Sequence, residues 1–329
     1  CGYVRVKDRF GDYGITGFYA LKEGRLIHFC FSCRTLGMGI EQYVYEKLGR
    51  PDLTVVGDVV SNLSGYKIPG WINQDVVDMD ETTLFTSSGA SHSVLIKGPC
   101  DLFQILPYIA DQSLIDTEFT YVNQNGVVIE STGHTTHIVE AFRLTESQKR
   151  MVIREVPFAD EGIYNDSLYK KPYKVIILSI LQDANLGVYR RKGTGERIAF
   201  AEGYHPITDE KNWPGYISGE YSSSGFHFTE ENLRKFQEQY EFVGINTPEQ
   251  IVENLRFIRQ HLHKDCVLAI MLGGELHYEK NTFPAYENRY LVHREINAAI
   301  RTVAQELQLT LIDVNKYLVD QSSFYDHYN

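Results

Sequence analysis

Cys100 stands between a short apolar run, VLIKG (94–98), and an amphipathic run, DLFQILPYI (101–109). The pattern predicts a thiol at a strand-to-helix turn, beside free backbone amides. A helix N-terminus lowers a thiol's pKa, and the thiolate is the nucleophile, so this placement suits covalent acyl chemistry. Asp101 follows directly and opposes thiolate formation unless its carboxylate points away. A small buried thiol filling a core gap fits the same residues, and both readings stay open. A second junction lies after RLIHFCFSC, where Arg34, Gly37 and Gly39 lead into a helix-like run from Met38 to Leu48. Glycines at this spacing let the backbone approach an anion, while the helix dipole and first free amides favour pyrophosphate. A tight turn that brings the helix close to the sheet would use the same glycines.

Other residues could carry chemistry. Cys30 and Cys33 form a CxxC with no second pair to complete a tetrahedral zinc site, so buried small side chains are the expectation. His134 and His137, three apart, could share a helical face with Glu140 as a carboxylate partner for a metal; substrate contact or polar surface is the competing expectation. Glu275 and His277 follow the apolar run CVLAIML, at the end of a strand where open α/β sheets build their sites. A loop merely leaving the sheet would read the same way. The 22 tyrosines, several of them clustered near Tyr286 to Tyr290, suggest an amphipathic surface or a ligand wall.

These residues need a framework to hold them. From 3 to 60 the runs VRV, ITGFYAL, LIHFCF and LTVVGDVV surround one helix-like stretch, which predicts a small mixed sheet packed on a helix. Residues 63–91 are turn-rich, without a sustained period, and form the expected linker between a first domain (1–62) and a second (92–329). In the second, VLIK, VVIE, KVIILSIL, CVLAIML and LTLIDV alternate with amphipathic segments. Buried parallel strands read as such runs, so the fold class is α/β, with a three-layer doubly wound parallel sheet in the second domain. FTEENLRKFQEQY and PEQIVENLRFIRQHL read as helices begun by threonine and proline, with early glutamates suited to the positive end. A net charge of −11 argues against a surface that tracks nucleic acid. No apolar run approaches the roughly 20 residues of a membrane span, and no secretion signal is present at the start. Five scattered cysteines make no disulfide framework. The expectation is a soluble, cytoplasmic protein.

Two resemblances sharpen this reading. DRFGDYG followed by SCRTLGMGIE resembles the GNAT-like acyltransferase part of FkbH-like (HAD-IIIC) proteins, over about the first 60 residues. It implies that Arg34, Gly37 and Gly39 hold the pyrophosphate of coenzyme A or the phosphopantetheine of an acyl carrier. In that family a HAD-type domain lies upstream, so the chain is expected to lack it and the first strands of the acyltransferase domain. The second domain resembles the SGNH/GDSL hydrolases, in which a turn after the first strand presents a serine nucleophile. Cys100 takes that place here. The resemblance implies oxyanion donors at Gly133, in STGHTTH, and at Asn185, in DANLG, and no required cofactor. It also implies a late orienter and base, for which Asp326 and His327 are the available residues. The terminal DHYN departs from the family's DxxH, since three residues after Asp326 stands Asn329. His327 acts, or the base lies beyond Asn329, or the domain is non-catalytic.

The expected function is therefore acyl transfer or hydrolysis of an ester or thioester, in natural-product, lipid or surface-glycan assembly. The expected partners are a small acyl or glycan substrate and an acyl carrier protein. The alternative is an inactive SGNH-like module that holds an acyl carrier or a glycan.

Overall fold

The computed structural model describes residues 1–7, 12–32, 35, 38–54, 63, 72, 93–99, 102, 115–123, 125–221, 225–279 and 287–323. Cys33, Arg34, Gly37, Cys100, Asp101, Tyr286, Asp326 and His327, and most of the expected helix 101–109, lie outside the described residues. Two compact units form, Cys1–Ala90 with Phe103–Ser113, and Ser91–Leu102 with Leu114–Asn329.

The first unit contains β1 (Gly2–Lys7), β2 (Asp12–Lys22), β3 (Arg25–Phe31) and α1 (Ile40–Lys47). Its three strands form an antiparallel meander in the order β1-β2-β3. The turn between β2 and β3 is the pair Glu23-Gly24, both at positive φ (52° and 77°), which matches the twist of a two-residue hairpin. The three described strands are antiparallel, and parallel pairing among the described residues of this unit is limited to an isolated bridge between Arg25 and Asp52; the expected strand LTVVGDVV lies mostly outside the described residues. Val6, Tyr13 and Ile40 form a small core with Met38 and Val44, which seats α1 on the sheet. Cys30 is exposed, not buried, because β3 is an edge strand in which Leu26 is the buried position.

The second unit opens with β4 (Val94–Lys97), β5 (Ile115–Glu118), β6 (Tyr121–Val122), β7 (Val128–Ile129), α2 (Thr135–Arg143), α3 (Glu146–Glu155), α4 (Ser167–Lys170) and β8 (Val175–Ser179). It continues with β9 (Leu186–Arg191), β10 (Arg197–Glu202), α5 (Trp213–Ser218), α6 (Glu230–Gln239), β11 (Tyr240–Ile245), α7 (Pro248–His261), β12 (Val267–Met271), α8 (Arg289–Val303) and β13 (Leu309–Ile312). Five strands make one parallel sheet in the order β13-β12-β8-β4-β5. Counted from β4, that order is 2-1-3-4-5, a doubly wound arrangement whose topological switch falls between β4 and β8. Leu95, Ile176 and Leu268 are aligned across three strands and fully buried. They share a core with Ile138 and Val139 of α2, Ile251, Leu255 and Ile258 of α7, and Ile296 and Ile300 of α8. Truncating any of these to alanine would cost about 2–5 kcal/mol, so this layer fixes where the strand ends lie.

Two expectations change. VVIE is not a strand of the parallel sheet: β7 pairs antiparallel with β6 in a separate hairpin. The second parallel strand is β5, with the sequence IDTE. It escapes an apolar-run reading because it is an edge strand whose carboxylates pair laterally, Glu118 with the buried Lys97 and Asp116 with Lys171 and the Tyr173 hydroxyl. The segment after β8 also builds a second, antiparallel sheet, β10-β9-β11, over an aromatic core that includes Phe158, Tyr189, Tyr216, Phe236 and Tyr240. Several tyrosines are thus core residues with satisfied hydroxyls: Tyr164 donates to the Arg197 carbonyl (2.9 Å), and the Tyr189 hydroxyl accepts the Ile207 N–H (3.0 Å). α2 is buried from Thr135 through Ala141, with residues in both cores. The expected helix starts are borne out at α6 and α7, where Thr229 and Thr247 form capping boxes with Asn232 and Gln250.

Candidate active site

Three backbone segments converge beyond the carboxyl ends of β4 and β8, where open α/β sheets bind their ligands. Gly98 leaves β4 at φ +153°, and a Cβ there would stand 2.9 Å from the Ser179 Cβ and 3.2 Å from its carbonyl oxygen. Gly133 closes the 3₁₀ turn Ser131–Gly133, and a Cβ on it would meet the Gly98 Cα at 2.6 Å and the Ser179 oxygen at 3.0 Å. Glycine is required at Gly133 because backbone packs on backbone, and at Gly98 because a side chain there would meet the Ser179 Cβ and the Leu102 side chain, each at 2.9 Å. The Gly98 N–H still donates to the Glu118 carbonyl (3.1 Å), so the β4 turn is also tied to β5.

The Gly133 turn runs straight into α2, whose first residues are held by a buried polar network. The Thr135 N–H donates to Asp183 Oδ2 (2.9 Å), and the Thr135 hydroxyl donates to Asp183 Oδ1. Asn246 Nδ2 donates to the same Oδ1 (2.8 Å), and Asn254 Nδ2 donates to the Thr135 hydroxyl oxygen (2.9 Å). Asp183 belongs to the short 3₁₀ helix Leu181–Ala184 that follows β8, so the network joins the Gly133 turn to the next strand end. Asp183 is wholly buried, and burial raises its pKa to about 6 against the pull of its hydrogen bonds from Thr135 and Asn246.

His134 is equally buried, and burial lowers its pKa to about 3, so its imidazole is neutral. Nδ1 accepts the Thr136 N–H (3.2 Å), which caps α2 and assigns the ring proton to Nε2; that Nε2 has no hydrogen-bond partner among the described residues. The 3.9 Å between Nδ1 and Asp183 Oδ1 is too long for a hydrogen bond, and a neutral ring makes it no ion pair. His137 Nε2 accepts the Ala199 N–H (2.7 Å), with its ring edge-on to Tyr164. Both histidines are core residues, which corrects the expectation of substrate contact or polar surface. Their spacing puts each on a different backbone partner. Among the described residues no group of three histidine, cysteine or acidic side chains could hold a metal ion.

The remaining predicted residues are placed as follows. Asn185 is the C-cap of the Leu181–Ala184 turn; its Nδ2 donates to the Leu181 carbonyl (3.4 Å) and its buried Oδ1 has no partner among the described residues. The side-chain bonds from this turn to the Gly133 segment run through Asp183, two residues earlier. Glu275 lies on the loop after β12, where its Oε1 accepts from Asn297 Nδ2 (2.8 Å) and Arg301 Nη1 (2.7 Å) while its N–H donates to Asn315 Oδ1 (2.7 Å). The His277 carbonyl accepts from Gln321, and its ring lies 5.1 Å from that of Tyr290. In the first unit, Gly39 is the left-handed N-cap of α1, at φ 73°. Two amides of the Arg34–Gly39 loop, those of Thr35 and Met38, donate to the Ser32 and Thr35 carbonyls.

The residues that sequence reasoning undervalued are Asp183, Thr135, Asn246 and Asn254. The available signal was a carboxylate directly beyond a buried strand, at the end where such sheets bind ligands. Comparison of the chain with protein-family models, with curated proteins and with solved structures finds no match.

Proposed function

We propose that the second unit is an SGNH-like domain that transfers or hydrolyses an acyl group held as an ester or thioester, with Cys100 as nucleophile. The observation that supports this most directly is the convergence of Gly98, Gly133 and the Ser179 carbonyl at the switch between β4 and β8, two residues before Cys100 in sequence. The Cys100 sulfur attacks the acyl carbonyl carbon, and the carbonyl electron pair moves to oxygen. Collapse of that tetrahedral species expels an alkoxide or thiolate, which takes up a proton, and leaves an acyl-thioester on the protein. Water or an acceptor hydroxyl then releases the acyl group. The Gly133 N–H and Asn185 are the oxyanion donors of this reading, and His327, oriented by Asp326, is the base. Substrates of this class belong to natural-product, lipid or surface-glycan assembly, and an acyl carrier is a fitting donor. Coenzyme A or phosphopantetheine at Arg34, Gly37 and Gly39 completes the proposal for the first unit.

A second reading, a non-catalytic module that holds an acyl carrier or glycan, draws support from Asn185, whose amide faces the Leu181 carbonyl. Intact-mass measurement after incubation with p-nitrophenyl acetate and with acetyl-pantetheine separates the two. An acetyl adduct mapped to Cys100 and absent from Cys100→Ser supports the enzyme. Binding of acetyl-pantetheine with neither adduct nor turnover supports the module.

A further inference from the structure

We infer that Asp183 is a positioning residue: its buried carboxylate grips Thr135 and thereby holds the Gly133 turn against the Gly98 end of β4. This inference rests on the proposed acyl chemistry for its kinetic consequence, but its structural consequence stands alone.

The argument starts from where the bonds go. Ser131–Gly133 has no strand to fix it, because β7, just before it, pairs only with β6 in a separate hairpin and not with the parallel sheet. What carries the turn to the switch point is the start of α2. Two of the donors there, the Thr135 N–H and hydroxyl, both end on Asp183. Asp183 is in turn placed by the β8 exit, where its N–H donates to the Ile180 carbonyl (3.0 Å), and by Asn246 at the end of β11. The chain between Gly133 and Thr135 is a single residue, His134, itself locked by its bond to the Thr136 N–H. A shift of Thr135 is therefore passed to Gly133 almost undiminished. Backbone packing of Gly133 on Gly98 leaves little slack to absorb it.

A carboxylate in this place is costly to bury, since desolvation outweighs its hydrogen bonds. A purely structural clamp could be made with an amide or a hydroxyl. Asp183 offers two acceptor oxygens and no donor, which suits the paired donors of Thr135 and the amide of Asn246 at once. An oxyanion donor displaced by about 1 Å costs roughly 100-fold in rate, so precise placement of this turn is worth that burial.

The test compares Asp183→Ala, Asp183→Asn and Thr135→Val by hydrogen exchange over residues 131–137 and by p-nitrophenyl acetate turnover. Asp183→Ala removes both acceptors. It is expected to speed exchange in this segment at least about 10-fold and to lower kcat about 100-fold, with KM within about 3-fold. Asp183→Asn keeps one oxygen for the Thr135 N–H and is expected to recover most of the protection and turnover. A folded Asp183→Ala protein with wild-type exchange and kcat would overturn the inference, as would equal losses in the alanine and asparagine variants. Should Asp183→Ala not fold, Thr135→Val decides, because unchanged exchange over 131–137 on loss of the hydroxyl bond also overturns it. If the unsubstituted protein shows no turnover, the proposed function fails while the exchange comparison still decides the positioning role.

Discussion

Gly133 and Gly98 meet backbone to backbone at the switch point, with room for no side chain between them: a Cβ on Gly133 would lie 2.6 Å from the Gly98 Cα. The obstacle is main chain on both sides, since the Ser179 carbonyl stands 3.0 Å away, so no rotamer change relieves it. Gly133→Ala is expected to destabilise the second unit by about 1–3 kcal/mol, the range for forcing extra volume into a packed site. Urea unfolding followed by fluorescence measures this. A midpoint equal to that of the unsubstituted protein would mean that the turn can retreat from β4 without loss.

His134 and Asp183 have opposite effects on stability as pH changes. The His134 pKa falls from its ordinary 6.5 to about 3 in the folded protein, so the unfolded chain binds the proton more tightly. Its contribution is full above pH 6.5 and is lost as pH falls toward 3, by roughly 5 kcal/mol in all at 1.4 kcal/mol per unit. Asp183 runs the other way. Its folded pKa of about 6 lies above its ordinary 3.8, so the folded state gains stability as pH falls from 6 toward 3.8, by roughly 3 kcal/mol. His134→Asn keeps an N-cap acceptor but removes the titration, and its stability is expected to fall less on acidification. Asp183→Asn is expected to lose stability more steeply than the unsubstituted protein between pH 6 and 4. Thermal melts of the three proteins at half-unit pH steps measure the slopes; parallel slopes would show that neither group titrates as its burial requires.

How much of this was legible in the sequence depends on what each element is buried by. β4, β8 and β12 are apolar runs because strands inside a parallel sheet are covered on both faces, and that signal survives without a structure; β13 keeps an apolar run, LTLI, although it is an edge strand. β5 was hidden because an edge strand can satisfy its side chains laterally, through Lys97, Lys171 and Tyr173. β9 and β10 mix buried and charged positions in YRR and RIAF, a pattern that marks no boundary between an inserted sheet and the main one. In the site, Gly133 was legible only through a family resemblance, since one glycine among polar residues has no period. Asp183 and Thr135 are 48 residues apart, and nothing local announces that they are partners.

The loop after β12 offers the last test, because one carboxylate organises it. Glu275 Oε1 receives Asn297 and Arg301 from α8, and Asn297 also donates to the Gly273 carbonyl (2.8 Å). Asn315, just past β13, donates to the same Gly273 carbonyl (3.1 Å) and accepts the Glu275 N–H. Arg301 also reaches Asp313 (3.0 Å), so α8 and the carboxyl ends of β12 and β13 are tied through Glu275 and Asp313 together. Glu275→Ala leaves Asn297 and Arg301 each short of an acceptor while Asp313 still holds the guanidinium. The expected cost is about 1–3 kcal/mol, the range for stranding buried or half-buried donors. Glu275→Gln keeps an oxygen for Asn297 and loses only the charge assistance to Arg301, so it should cost about 1 kcal/mol or less. Urea midpoints of the two variants at pH 7 give the ordering. Equal midpoints for both would assign the loss to charge alone, and an alanine variant as stable as the unsubstituted protein would mean that the Asn297 and Asn315 bonds to Gly273 hold the loop by themselves.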